Sequence, residues 1–170
     1  EMSVGMTKFY RRTCFTELGG FVPQVMWDGI DCHRARMRGW LAESLNDEAL
    51  RFIHLRPQGA SHKGIWTGRT RAGFGQYYMG TAPLYYLASA IYRVREHPAV
   101  LGSLAMLWGY ARSAIRRLPR YEEPGFREFL RRYQHACLRQ GKAAATARLN
   151  EQQRQVWDAA HPAATSEGEP

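Results

Sequence analysis

The chain has 170 residues, 45% hydrophobic and 23% charged, which is ordinary for a globular protein and enough for one domain. Its formal net charge is +9 and arginine dominates, lysine standing only at 8, 63 and 142; this balance suits an anionic partner such as phosphate, nucleic acid or an anionic membrane. Three widely spaced cysteines (Cys14, Cys32, Cys137) make no C-x-x-C pair and no zinc spacing, so free thiols in a reducing compartment are expected.

In chain order, residues 8–20 read as a short strand and then a helix stopped by Gly19-Gly20. Residues 28–39 read as a second helix. Short strands are expected at 43–45 and 50–54, around an Asn46-Asp47 turn. A polar loop at 57–64 leads into a helical pattern that carries Arg69 and Arg71 and is weakened by Gly73, Gly75 and Gly80. Pro83 opens a helix over 83–95, Pro98 another over 98–118, and Pro124 a long last helix over 124–157. In that last helix Phe126, Phe129, Leu130, Tyr133 and Cys137 fall at i, i+3, i+4 spacing. The tail after 158 has a disordered composition. Residues 72–92 and 98–111 carry no charge up to their flanking arginines, but one is too broken and the other too short for a membrane span. They read as helices lying in a membrane interface or as a hairpin packed on a sheet.

The segment with the most chemistry is Trp27-Asp28-Gly29-Ile30-Asp31, followed by Cys32-His33-Arg34-Ala35-Arg36-Met37-Arg38-Gly39-Trp40. Asp28 and Asp31, three apart on a helix, share one face near its N-terminus, where the helix dipole favours negative charge. The same pattern fits a capped helix with no catalytic role. Before it stand Tyr10-Arg11-Arg12 and Gly19-Gly20-Phe21, and after it His54-Leu55-Arg56-Pro57. This ordered set resembles the second half of the catalytic domain in inverting family 2 glycosyltransferases, over about residues 5–95 and more loosely to 140. There a "YRR" strand end, a "GGF" turn and an acidic E-D-x-D motif follow one another.

The resemblance implies an α/β fold: the C-terminal portion of a GT-A Rossmann-like domain with few short strands, followed by mostly helical segments. The parts would be an acceptor-side half over 1–63, a basic and aromatic helical segment over 64–120 serving as lid or membrane dock, an amphipathic helix over 121–158, and a tail over 159–170. It implies a sugar transferred from a nucleotide donor to a glycan or lipid-linked acceptor, with Mg²⁺ or Mn²⁺ held mainly by a donor-binding half. That half carries a D-x-D motif, and no Asp-Xaa-Asp occurs in this chain. The chain is therefore expected to be part of a longer, cytoplasmic enzyme, peripheral on the inner face of the cell membrane, and inactive alone.

Within the resemblance, Asp28 matches the Glu of E-D-x-D, Gly29 its first Asp and Asp31 its second, so glycine stands at the usual base position. Asp28 is the favoured base and Asp31 the runner-up, with a structural role for Asp31 toward Arg34 also open. His54 and Arg56 match the metal and diphosphate side, His54 also as a metal ligand. Arg69 and Arg71 match a mobile basic segment over the diphosphate, with nearby glycines letting it close. Trp27 is the candidate platform for an acceptor sugar; Trp66, Tyr77 and Tyr78 are lesser ones. The rival reading is a small basic helical module that binds nucleic acid or anionic membrane without catalysis. No helix-turn-helix, zinc or RNP-type motif supports the nucleic-acid form of it.

Overall fold

A computed structural model describes residues 8–44, 47–50, 64–95 and 99–160. Among these the α/β expectation is overturned: seven α-helices and two short 3₁₀ turns are the regular elements, with no strand and no sheet. The physical reason is visible at the described ends of the expected strands. A strand needs a partner ladder to satisfy its backbone. Residues 8–10 run outside regular structure, and so do 43 and 44. The Asp47 side chain accepts a hydrogen bond from the Ala49 backbone N–H at 2.9 Å, and a 3₁₀ turn, Glu48–Leu50, follows. That local bond competes directly with an extended ladder. Residues 51–54, expected to complete the second strand, lie outside the described residues.

The chain divides into two compact units. The first holds α1 (Arg12–Leu18), α2 (Trp27–Met37), the end of α6 (Phe126–Gln140) and α7 (Lys142–Ala160). Helix α1 stops where the Gly19 N–H turns back to the Thr16 carbonyl at 3.0 Å. The Arg34 guanidinium then donates to the carbonyls of Leu18 and Gly20 just past the helix end, a cation where the dipole is negative. Cys14, Leu18 and Ala35 form a small core against which Tyr10 and Trp40 pack. The Trp40 indole donates to Glu17 at 2.8 Å, and its ring meets Trp157 at 5.5 Å. All three cysteines are buried.

The expected single helix over 124–157 is two helices. Gly141 sits at φ +86 between α6 and α7, a left-handed conformation that glycine adopts without cost. Gly141→Ala meets no neighbouring atom, so only backbone strain is added. Urea unfolding should show a loss of about 1 kcal/mol.

The second unit holds α3 (Ile65–Met79), α4 (Pro83–Tyr92), α5 (Ala99–Ile115) and the start of α6. Helix α3 runs unbroken through its glycines because they face neighbours rather than solvent. A Cβ on Gly73 would lie 2.0 Å from the Met106 carbonyl oxygen, and one on Gly109 would lie 2.1 Å from that of Thr70. The α3 and α5 backbones therefore touch directly. A tyrosine layer finishes this core. Tyr86 stacks on Tyr110 at 4.8 Å, Tyr77 meets Tyr110 edge-on at 5.7 Å, and the Tyr110 hydroxyl donates to Thr81 at 2.8 Å. The Gln134 side-chain oxygen accepts from the Ala82 N–H at 2.8 Å, closing the entry to α4. Among the described residues no helix is long and apolar enough to cross a membrane.

Candidate functional site

Trp27 and Asp28 open the first turn of α2, both half-buried, and Asp31 follows one turn on. Asp31 is 1% exposed. Its Oδ2 accepts from the Tyr10 hydroxyl at 3.2 Å, and its Oδ1 lies 3.7 Å from the Arg34 guanidinium. Lys8 donates to the Asp28 backbone carbonyl and stands over the Trp27 ring at 5.4 Å and the Tyr10 ring at 5.9 Å. A run of edge-to-face rings, Tyr10–Phe15–Phe21–Trp27, with centroids 4.8–5.7 Å apart, walls the site. The two carboxylates thus differ in kind. Asp28 is half-buried, whereas Asp31 is enclosed.

Burial raises the Asp31 carboxyl above its ordinary range; Lys8, the Tyr10 hydrogen bond and Arg34 pull it back, and Asp28 adds to the rise. Burial also pushes the Tyr10 phenol up, and Asp31 adds to that. His33, two residues along α2, is fully enclosed and held down at about 3, mainly by burial and then by Arg36, Lys142 and Lys8.

Their signs under acid oppose each other. His33 folds neutral, so its contribution is present above its unfolded value near 6.5 and is lost as pH falls toward 3. Asp31 favours the fold when protonated, so its contribution is present below 3.8 and is lost as pH rises through its raised value. His33 dominates, because its shift meets no opposing cause while that of Asp31 is partly cancelled. Urea unfolding between pH 7 and pH 4 should reveal a loss on the order of 3 kcal/mol in the wild type. The slope should flatten in His33→Gln, which cannot charge.

The other sequence-expected residues lie elsewhere. Arg69 and Arg71 belong to the second unit and, two apart on α3, point to nearly opposite sides. Arg69 is half-buried with Nη1 3.9 Å from the Met106 sulfur, while Arg71 is exposed. The mobile basic segment expected there is a continuous helix. Tyr77 is buried and donates to the Leu118 carbonyl at 3.0 Å; Trp66 is exposed. His54 and Arg56 lie outside the described residues.

Sequence reasoning assigned no site role to Lys8, which donates to the Asp28 backbone carbonyl, or to Tyr10, which donates to the Asp31 carboxylate. It also missed Arg36, among the largest fully buried side chains, whose Nη2 donates to the Ala42 carbonyl at 2.7 Å. An arginine between two others gives no pattern that marks it as interior.

Among the described residues no group of three His, Cys, Asp or Glu side chains gathers to hold a metal. This end of α2 does not suit a divalent cation. Asp31 is engaged by Tyr10 and Arg34, and Lys8 stands beside Asp28. No family model, curated protein or solved structure matches the chain.

Proposed function

We propose that the chain is the acceptor-side part of a longer inverting glycosyltransferase. It would move a sugar from a nucleotide donor to a glycan or lipid-linked acceptor of the cell-surface polysaccharide type, peripherally at the inner face of the cell membrane. The observation that carries the reading is the pair of unlike carboxylates on one helical turn. Asp28 is half-buried next to Trp27 in the chain, and Asp31 is enclosed on Tyr10 and Arg34. The ordered motifs from residue 5 to 95 support the same reading. It rests on these side chains and not on a Rossmann-like sheet.

In this reading the acceptor sugar lies against Trp27, and the Asp28 carboxyl group accepts the proton of the attacking hydroxyl. The hydroxyl oxygen forms a bond to the anomeric carbon from the face opposite the leaving group. The bond from that carbon to the phosphate oxygen breaks, and the nucleoside diphosphate departs with the electron pair. Positive charge near the departing phosphate stabilises that step. The resemblance gives that charge to His54, Arg56, Arg69 and Arg71. Asp31 keeps Tyr10 and Arg34 in place and thereby positions the first turn of α2.

The test is turnover of a nucleotide-sugar panel with Mn²⁺, in a polypeptide that includes the donor-binding half. Wild type is compared with Asp28→Asn and Asp31→Asn. Loss of turnover in Asp28→Asn with the fold retained supports the reading, and full turnover in that variant sinks it.

A further inference from the structure

Among the described residues, helices α4 and α5 leave a face uncovered. Leu84, Leu87 and Ile91 recur at i, i+3, i+7 on α4, and Leu101, Leu104 and Trp108 repeat the spacing on α5. All six are between 45% and 67% exposed. The opposite faces are the packed ones: Tyr86 and Ala90 on α4, Met106 and Ser113 on α5. The Ser103 hydroxyl donates to the Ala90 carbonyl at 3.1 Å and joins the two helices. Each helix thus has a core stripe and a second apolar stripe turned to water. Isolated exposed leucines are normal on a protein surface, but two continuous stripes on adjacent helices are not.

The charge around the stripes identifies what covers them. Residues 64–121 contain eight arginines and a single acid, Glu96. Arg93 follows the α4 stripe, and Arg112, Arg116 and Arg117 follow the α5 stripe. An apolar strip bordered by cations matches the two layers of an anionic bilayer surface, with acyl chains beneath negative headgroups. Arginine stems also lie along apolar surface while their heads stay at the headgroup level.

We propose that the exposed faces of α4 and α5 form an in-plane docking surface for anionic phospholipid. Leu84, Leu87, Ile91, Leu101, Leu104 and Trp108 enter the acyl boundary, and the arginines pair with headgroup phosphates. The surface adds a lipid partner to the proposed peripheral location. It rests on these helices and not on Asp28, so its failure leaves the sugar-transfer reading standing.

The experiment is co-flotation of the 170-residue chain with vesicles of phosphatidylcholine alone or with about 30% phosphatidylglycerol. Binding to the anionic vesicles is expected, about tenfold weaker to the neutral ones and similarly weakened in about 0.5 M salt. The pairs Leu87→Ser with Ile91→Ser, and Leu104→Ser with Trp108→Ser, should each lower binding about tenfold with an unchanged thermal midpoint. Arg116→Gln with Arg117→Gln, which leaves the apolar stripes intact, should remove much of the salt dependence. Equal binding to both vesicle types, or serine pairs that bind like wild type, would overturn the proposal. So would a wild-type dimer that the serine pairs dissociate and that binds no vesicle; the face would then join two copies of the chain.

Discussion

Gly73→Ala unfolds the second unit. In a helix interior the exchange of glycine for alanine ordinarily gains about 0.5–1 kcal/mol, because alanine loses less backbone freedom on folding. Here the added methyl would lie 2.0 Å from the Met106 carbonyl oxygen and 2.9 Å from the Tyr110 nitrogen, both backbone atoms that cannot rotate away. Relief requires the α3 and α5 axes to separate, which strips the contacts between them. A cost above about 3 kcal/mol is expected, well past the propensity gain. Gly109→Ala, with its methyl 2.1 Å from the Thr70 carbonyl, should match it. The pair should be far from additive, since either one alone opens the same interface. Thermal unfolding followed by circular dichroism measures both, and Gly141→Ala sets the scale of strain without collision. If Gly73→Ala melted as the wild type does, the direct backbone contact would be wrong.

Asp28→Asn should lower the rate of sugar transfer by about 10²–10⁴, the usual contribution of a positioned base. Amide and carboxylate have nearly the same shape, and Asp28 is only half-buried, so the fold and acceptor binding should survive. Asp31→Asn should behave in the opposite way. Burial outweighs Lys8, Tyr10 and Arg34 at Asp31, so its ionised form costs stability at neutral pH. The amide removes that cost, and the unfolding midpoint at pH 7 should hold or rise. Turnover should fall less than about tenfold, since Asp31 acts through the placement of its neighbours and not on the reacting atoms. Measuring turnover and midpoint together separates the two roles. A larger loss of turnover in Asp31→Asn than in Asp28→Asn would reverse the assignment.

Local chemistry was well marked in the sequence. Gly19-Gly20 signals the end of α1, Pro83 signals the start of α4, and the apolar spacing from Phe126 signals the buried face of α6. Each is settled by a few neighbouring backbone groups. Gly141, which divides α6 from α7, is as local, but its break was hidden by helix-forming residues on both sides. The i, i+3 spacing of Asp28 and Asp31 put both on one face of α2. It said nothing of their unequal burial, which comes from Tyr10 and Arg34 closing over only one of them.

The glycines of α3 show the same division. The sequence reads Gly73, Gly75 and Gly80 as weakening the helical pattern, because the intrinsic cost of glycine in a helix is all that a single segment reveals. That cost is offset where a missing side chain lets two backbones meet, as Gly73 and Gly109 do, and the meeting depends on residues more than thirty positions apart. The strands expected at the start of 8–20 and at 43–45 turned on a similar question, since an extended segment becomes a strand only when another lies beside it. The Gly141 break apart, helix limits, charge and the spacing of carboxylates were thus legible in the chain itself, because their causes lie within a turn or two of the residues concerned. Which carboxylate is enclosed, which arginine is interior and which glycines bear a contact were decided by the tertiary structure, because burial and close approach are made by residues distant in sequence.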